Sequence, residues 1–330
     1  MKKITNRANL EQTEIIEQMP EVCSNELAAV EFFERRIWNR TPRCPHCQST
    51  NVYQMKDAKT GQRSQRFLWR CHACEKQFTI RVGTVLEESR IPLRHWAYAF
   101  WRAVASKKGV SALEIQRQCQ ISYPSALFLM HRIRLAMTPE PGTSPKLGGL
   151  GGMVECDETY IGGKPRHVIL PRPGKHGPWP QKIYADKTPV FGMVERGGRI
   201  HRRVIASVSG KNLKDTIREC VDPSATISTD QLRAYRGIGK HFDGGHVSVN
   251  HTIKQYVRGQ ASTNTAESSF ALLKRGLMGI YHAVSKKHLH RYVGEFDFRW
   301  NTRNLNDGER TVAAVQGAIG KRLDHETLTR

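Results

Sequence analysis

MVECDETYI, residues 153–161, decides the architecture of this chain. Its apolar and β-branched residues read as a short strand, and Asp157 stands at the end of the apolar run. PVFGMVE (189–195) and RIHRRVIA (199–206) flank Arg196-Gly197-Gly198-Arg199, whose Gly-Gly pair predicts a tight hairpin. KNLKDTIREC (211–220) has amphipathic helical spacing and stops before Pro223. ATISTD (225–230) is a fourth short strand, ending at Asp230, and HVSVN (246–250) is a fifth. Helical text resumes over Thr265 to Arg275 and over Lys286 to Arg303, where Leu289, Tyr292, Val293, Phe296 and Trp300 trace one apolar stripe. Three successive strands, a helix, two more strands and closing helices predict an α/β layer.

A rigid sheet presents carboxylates to solvent at its strand ends, and both Asp157 and Asp230 fall there. If their strands are neighbours, the two can share a metal ion. Glu267, on the first helix after the strands, adds a third carboxylate. Lys274, about two helical turns further on, shares its face and offers a phosphate contact. Glu155 and Glu158 flank Asp157 and are expected on the opposite face of the strand, leaving Asp157 as the inward acid. Carboxylates gathered from two strands and a helix form an oxygen donor set for a pair of Mg²⁺ (or Mn²⁺) ions, which serves phosphodiester chemistry. For each acid taken singly, a solvated surface role stays open, since most Asp and Glu are exposed.

Lys and Arg total 52 against 30 Asp and Glu, a formal net charge of +22. That excess implies a polyanionic partner, and with the carboxylates it points to double-stranded DNA. No apolar run approaches the roughly 18 residues of a membrane span. The amino terminus also lacks the apolar core of a secretory signal. These features give the expectation of a cytoplasmic, nucleoid-associated protein with no membrane partner.

The eight cysteines divide into two C-x-x-C pairs, Cys44/Cys47 and Cys71/Cys74, and four singles, Cys23, Cys119, Cys156 and Cys220. In a reducing compartment the pairs read as metal ligands and the singles as buried thiols, a redox role for the pairs being the alternative. Aromatic and β-branched residues around the second pair, FLWRCHACEKQFTIRVGT, predict a zinc ribbon. Four thiolates close the shell of a structural Zn²⁺, which leaves His46 and His72 outside it. The stretch between the pairs is slightly longer than the simplest pattern, a difference that a longer hairpin loop absorbs.

The predicted order is a helical segment (1–40, with Ser24 as cap candidate), the ribbon (41–86), a helical region (90–137), a Pro/Gly/Ser linker (138–152), the α/β domain (153–305) and a tail (306–330). In the helical region Pro92 opens a helix with Trp96, Phe100 and Val104 on one face, and Ser111 with Glu114 forms a capping box. A break at Gln120 to Ser122 leads into a helix bearing His131, Arg132 and Arg134. That arrangement matches a helix-turn-helix, with an ordinary helical bundle as the alternative. Residues 164–187 are basic and Pro-rich and are expected to lie along a phosphate backbone.

The α/β order resembles the ribonuclease H fold. The series ECDETYIGGK, TPVFGMVERGG, STDQLRAY, VNHTIKQYVRG and NTAESSFALLKRGLMGIYHAVSKKHLHRYVGEFDFRWNTR resembles bacterial insertion-sequence transposases of the DDE type with an amino-terminal zinc ribbon, the ISXO-like group. The resemblance runs from about residue 24 onward. It implies a metal-binding triad of Asp157, Asp230 and Glu267 with Lys274 as its associated base. Some relatives carry Asn at the third position, where this chain has Glu267. It further implies cleavage at the terminal inverted repeats of a mobile element and attack of the freed 3′-hydroxyl on target DNA. Ribbon and helix-turn-helix would recognise the ends, in a homodimer or larger assembly on DNA. A non-catalytic DNA-binding regulator and a non-joining nuclease are the competing readings.

Overall fold

The structure, a computed structural model, describes residues 7–162, 187–250, 253, 257–258 and 261–329. The chain divides into two compact units, residues 1–139 with 302–330, and residues 140–301.

In the first unit, α1 (Arg7–Ser24) and α2 (Glu26–Ile37) are separated by Asn25 alone. The Asn25 backbone is extended, and its Oδ1 accepts from Leu27 N (2.9 Å) and Ala28 N (3.3 Å). Asn25, not Ser24, is therefore the cap, because its short carboxamide reaches two orphan amides of the first turn. Ser24 ends the preceding helix, its hydroxyl donating to Pro20 O at 2.9 Å. Strands β1 (Val52–Gln54), β2 (Trp69–Cys71) and β3 (Gln77–Phe78) then form an antiparallel sheet in that order. Between β1 and β2 a Lys56–Arg63 bridge and a turn held by Asp57 make the longer hairpin that the cysteine spacing predicts.

α3 (Leu93–Ala105) starts after Pro92 and buries Trp96, Phe100 and Val104. α4 (Ala112–Cys119) is capped by Ser111, whose Oγ accepts from Glu114 N at 3.1 Å, while the Glu114 carboxylate takes Arg102 Nη2 at 2.7 Å. Gln120, left-handed at φ 53°, turns the chain into α5 (Tyr123–Met137). The basic residues read on α5 do not form an exposed face. His131, Arg132 and Arg134 are buried, with Arg132 Nη1 donating to Glu87 O (2.7 Å) and Nε to Leu323 O (3.0 Å). A guanidinium tolerates the interior when backbone carbonyls receive its donors, so this arginine ties segments together inside the unit.

The second unit begins inside the expected linker. Leu147 is buried, its amide donating to Cys220 O (2.9 Å) and its carbonyl accepting from Asp222 N (2.8 Å), so this segment is fastened to the unit it precedes. A five-stranded sheet follows, built from β4 (Met153–Ile161), β5 (Thr188–Glu195), β6 (Ile200–Val204), β7 (Thr226–Thr229) and β8 (His246–Ser248). Its order is β6-β5-β4-β7-β8. The first three strands are antiparallel neighbours, and β7 and β8 run parallel to β4. The Gly-Gly hairpin forms as read, with Gly197 at φ +73° and Glu195 N donating to Arg199 O at 2.8 Å.

α6 (Gly210–Cys220) crosses over between β6 and β7; a short pair, β9 (Val257–Arg258) and β10 (Ala261–Ser262), precedes α7 (Asn264–Gly276) and α8 (Leu289–Asn301). Alternation along the strands divides the core. Val154, Cys156, Phe191, Met193 and Ile227 pack with Leu213 and Ile217 of α6. On the other face Val190 packs with Phe270 and Leu273 of α7 and with Leu289, Tyr292, Val293 and Phe296 of α8, the stripe read from sequence. Of the basic stretch 164–187, all but Lys187 lies outside the described residues.

Residues 306–330, expected as a tail, fold into the first unit. α9 (Asp307–Gln316) opens on a complete capping box: Asn306 Oδ1 accepts from Glu309 N and Glu309 Oε2 from Asn306 N, both at 2.9 Å. Thr311, Ala314 and Val315 are buried, and Lys321 Nζ donates to the last carbonyls of α5 at Leu135 and Ala136, 3.3 Å each. α10 (His325–Thr329) follows. No helix among the described residues is long and apolar enough to cross a membrane.

Candidate metal centres

Cys44, Cys47, Cys71 and Cys74 converge as their spacing predicts. The Cys44–Cys74 and Cys47–Cys71 sulfurs are each 3.6 Å apart, and all four lie within 4.8 Å of one another. Zinc with four Zn–S bonds of about 2.3 Å sets tetrahedral sulfurs about 3.8 Å apart, so the set fits a closed structural Zn²⁺. The two knuckles are built alike. Cys44 N donates to Ser49 O (2.9 Å) and Cys71 N to Lys76 O (3.1 Å), and Gln48 and Glu75 close the turns with left-handed backbone, φ 63° and 58°. Behind the sulfurs Phe78, Trp38 and Trp69 pack edge to face. Buried Glu34 joins α2 to the ribbon, accepting from Arg63 Nη2 and from Trp69 Nε1 (2.7 Å). His46 and His72 are exposed outside the cluster, His72 stacking on Tyr53 with ring centroids 4.6 Å apart.

The second group is acidic. β4 and β7 are parallel neighbours paired Val154↔Ile227 and Glu155↔Ser228. Asp157 is the fifth of the nine residues of β4, not at the strand end that the sequence suggests, and Asp230 directly follows β7; the described pairing stops two residues before them, and alternation puts Asp157 on the α7 face of β4. Asp157 Oδ1 accepts from Glu158 N (2.9 Å) and Asp230 Oδ1 from Leu232 N (3.0 Å). Burial, then the charges of Glu158, Asp230 and Glu267, pushes the Asp157 carboxyl up to about 7, so all three acids act on it. Glu267 lies in the first turn of α7, exposed, its Oε1 accepting from Thr263 Oγ1 at 3.2 Å. The three acids do not close as tightly as the thiols, which form the one group within 4.8 Å among the described residues. Lys274 is exposed on α7, about 10 Å further along the axis than Glu267, and is not drawn in among the acids.

Two expectations about the neighbours of Asp157 need revision. Glu155 does not point away from it: residues two apart on a strand share a face, and Glu155 is the buried clamp on α7. Its carboxylate accepts from Thr265 N (2.8 Å), Ala266 N (3.2 Å) and Thr265 Oγ1 (3.1 Å) at the amino end of the helix, and from Arg196 Nη2 (2.9 Å). An anion on those orphan amides also complements the helix dipole. Glu158 does face the other way, yet it belongs to the acidic group, its own carboxyl raised by burial and by Asp230.

α7 is further held by Arg202, which pairs with Asp297 of α8 (Nη1–Oδ1, 2.7 Å) and donates from Nη2 to Ser269 O (3.0 Å). Burial still pushes the Asp297 carboxyl up to about 6 against the pull of Arg202. Gly192, the cross-strand partner of Asp157, lets α7 approach: a Cβ there would lie 2.7 Å from Phe270 Cζ. Gly192→Ala is accordingly expected to lose about 1–3 kcal/mol of stability in denaturant melts. The added Phe270→Leu change should recover part of that loss; no recovery would mean that Phe270 is not what fills the space.

The geometry has counterparts. Residues 24–77 match the transposase zinc-ribbon domain and residues 149–301 the ISXO2-like transposase domain, so the four cysteines fall in the first and Asp157, Asp230, Glu267 and Lys274 in the second. A relative described as an uncharacterized protein in transposable element ISH50 of Halobacterium salinarum is 27% identical over 281 residues, covering 83% of this chain and 90% of the relative. In its two matched segments the chain is therefore similar to transposases, to their zinc-ribbon domain in the first and to the ISXO2-like transposase domain in the second.

Proposed function

We propose that this protein is a transposase that binds the terminal inverted repeats of an insertion sequence, cleaves the element ends and joins the freed 3′-hydroxyl to target double-stranded DNA. The parallel neighbours β4, which carries Asp157, and β7, which leads into Asp230, support the reading, together with the clamp of Glu155 on the helix that bears Glu267. The strand order, three antiparallel strands followed by two parallel to the first, supports a ribonuclease H-like core. All-oxygen carboxylate donors fit hard divalent ions, and the mutual repulsion that raises Asp157 is what such cations relieve. Asp157, Asp230 and Glu267 would hold two Mg²⁺ (or Mn²⁺) ions, which when bound supply charge compensation at the phosphate and activation of the attacking oxygen. The protein's own part is placement. The middle of β4, the turn after β7 and the first turn of α7 carry the carboxylates, and Lys274 would offer an ammonium to a flanking phosphate. The net charge of +22 draws the duplex in. The ribbon and the α4–α5 pair serve end recognition, in a homodimer or larger assembly on paired ends, at the bacterial nucleoid.

The test is incubation with Mg²⁺ and labelled DNA carrying candidate repeat ends. Bound, nicked and joined products are expected together. Binding without nicking selects the regulator reading, and nicking without joined products selects a nuclease.

A further inference from the structure

Hydrogen bonds joined by short stretches of chain link Asp157, in the middle of β4, to Asp230, just after β7. Asp157 Oδ1 accepts from Glu158 N at 2.9 Å, and the Glu158 Oε2 accepts from the Tyr235 hydroxyl at 2.7 Å. Tyr235 N in turn donates to Leu232 O (3.0 Å), and Leu232 N donates to Asp230 Oδ1 (3.0 Å). The circuit leaves β4, crosses to the turn after β7 and returns to the second aspartate. Its middle, at Tyr235, lies in the core on the α6 side of the sheet, opposite the face of Asp157. Tyr235 is 1% exposed, its ring packed on Phe191 with centroids 6.4 Å apart, so the hydroxyl is held by the core. Burial, then the Glu158 carboxylate, keeps that phenol protonated well above the ordinary tyrosine range, so it acts as donor.

We infer that the Tyr235–Glu158 hydrogen bond is a latch that fixes the Asp230 turn against the middle of β4, making Glu158 and Tyr235 positioning residues for the aspartate pair. Glu158 is unsuited to be a fourth ligand: alternation turns it from the face of Asp157, and one oxygen is already engaged. Its role is to accept. Besides the latch, the turn from Asp230 to Tyr235 is held by the Tyr235 ring on Phe191 and follows the short pairing of β4 with β7, which ends at Glu155↔Ser228, two residues before the aspartates, so the latch is the polar tie between the turn and β4 beyond that point. Residues that orient ligands in this way typically govern metal affinity by about 10–100-fold.

The inference rests on the proposed divalent-ion role of Asp157 and Asp230. It is tested by Mn²⁺ titration of the full-length, zinc-loaded protein, with zinc content and melting temperature as controls for folding. Tyr235→Phe is expected to weaken Mn²⁺ binding about tenfold or more at unchanged zinc content. Glu158→Ala should behave likewise. Glu158→Gln, whose amide oxygen still accepts from the hydroxyl, should lose much less than either. If Tyr235→Phe fails to fold, the Gln and Ala variants at 158 make the same comparison. Equal loss in Glu158→Gln and Glu158→Ala would overturn the latch in favour of a direct role for the charge. Binding that Asp157→Asn abolishes but Tyr235→Phe leaves intact would overturn the latch alone. Binding indifferent to Asp157→Asn would overturn the carboxylate centre, and the latch with it.

Discussion

Asp157→Asn is expected to abolish Mg²⁺-dependent strand cleavage and, in the protein without added divalent ions, to raise the melting temperature at pH 8. The two effects have one cause. The carboxyl is moved from its ordinary value of 3.8 to about 7 by burial and then by the charges of Glu158, Asp230 and Glu267. The native state thus holds a proton that the unfolded chain releases anywhere between those values. Stability from this group is fully present below the unfolded value and is lost as pH rises through about 7. At pH 8 the native protein must carry an ionised carboxylate among other carboxylates, whereas Asn carries none. The stabilising effect of the substitution therefore shrinks as pH falls toward 5. That same unrelieved repulsion is what makes the position suited to cations, so removing the charge removes the chemistry. Binding to repeat ends should survive, because Asp157 lies within the acidic group and not on a basic surface. Scanning calorimetry at pH 5 and pH 8 with zinc retained, beside a cleavage assay, makes the check. Retained nicking would remove Asp157 from the proposed site, and a pH-independent melting shift would remove the electrostatic explanation.

What was legible in the sequence was what local chemistry dictates. The Gly197–Gly198 turn, the alternation of β5 and the Pro223 stop of α6 specify elements without help from distant partners. The C-x-x-C pairs read true because four sulfurs around one ion leave few arrangements. Asp230 follows β7 directly, as its sequence suggests, whereas Asp157 lies mid-strand because β4 runs on to Ile161, and the pairing of β4 with β7 is a tertiary fact that no local pattern states. Glu155 was misread although the signal was present: it is two residues from Asp157, and a period of two puts it on the same face. His131, Arg132 and Arg134 looked like a docking surface because charge on a helix is usually solvated. Their burial depends on Glu87 and Leu323, the latter far along the chain. The segment after Asn306 carried a readable capping box, yet its destination beside α5 is a tertiary fact. The Gly192–Phe270 contact likewise appears only once α7 lies on the sheet.

Cys71→Ser is expected to leave the chain without its zinc and to unfold residues 41–82 as a unit. The ribbon's three strands span only Val52–Gln54, Trp69–Cys71 and Gln77–Phe78, and its buried cluster is Cys44, Cys71 and Phe78 with half-buried neighbours. So small an apolar core cannot offset the conformational entropy of a segment this long. Zinc supplies the difference, since apparent binding free energies of structural sites are about 10–16 kcal/mol near neutral pH, and that binding is folding free energy. Serine keeps the volume but gives no thiolate, and the three remaining sulfurs leave the shell open. The consequence should spread through contacts already described. Trp38 and Trp69 lose their packing on Phe78, and Glu34 loses the Arg63 and Trp69 donors that join α2 to the ribbon. Expected readouts are loss of one zinc per chain, red-shifted tryptophan emission, rapid proteolysis within 41–82 and weakened binding to repeat ends. Mn²⁺ binding at Asp157 and Asp230 should persist, since those residues belong to the other unit. Cys23→Ser, at a half-buried thiol outside the cluster, serves as the control and should keep its zinc. A Cys71→Ser protein that retains zinc and a protected ribbon would show that the fold of residues 41–82 does not depend on the four-sulfur site.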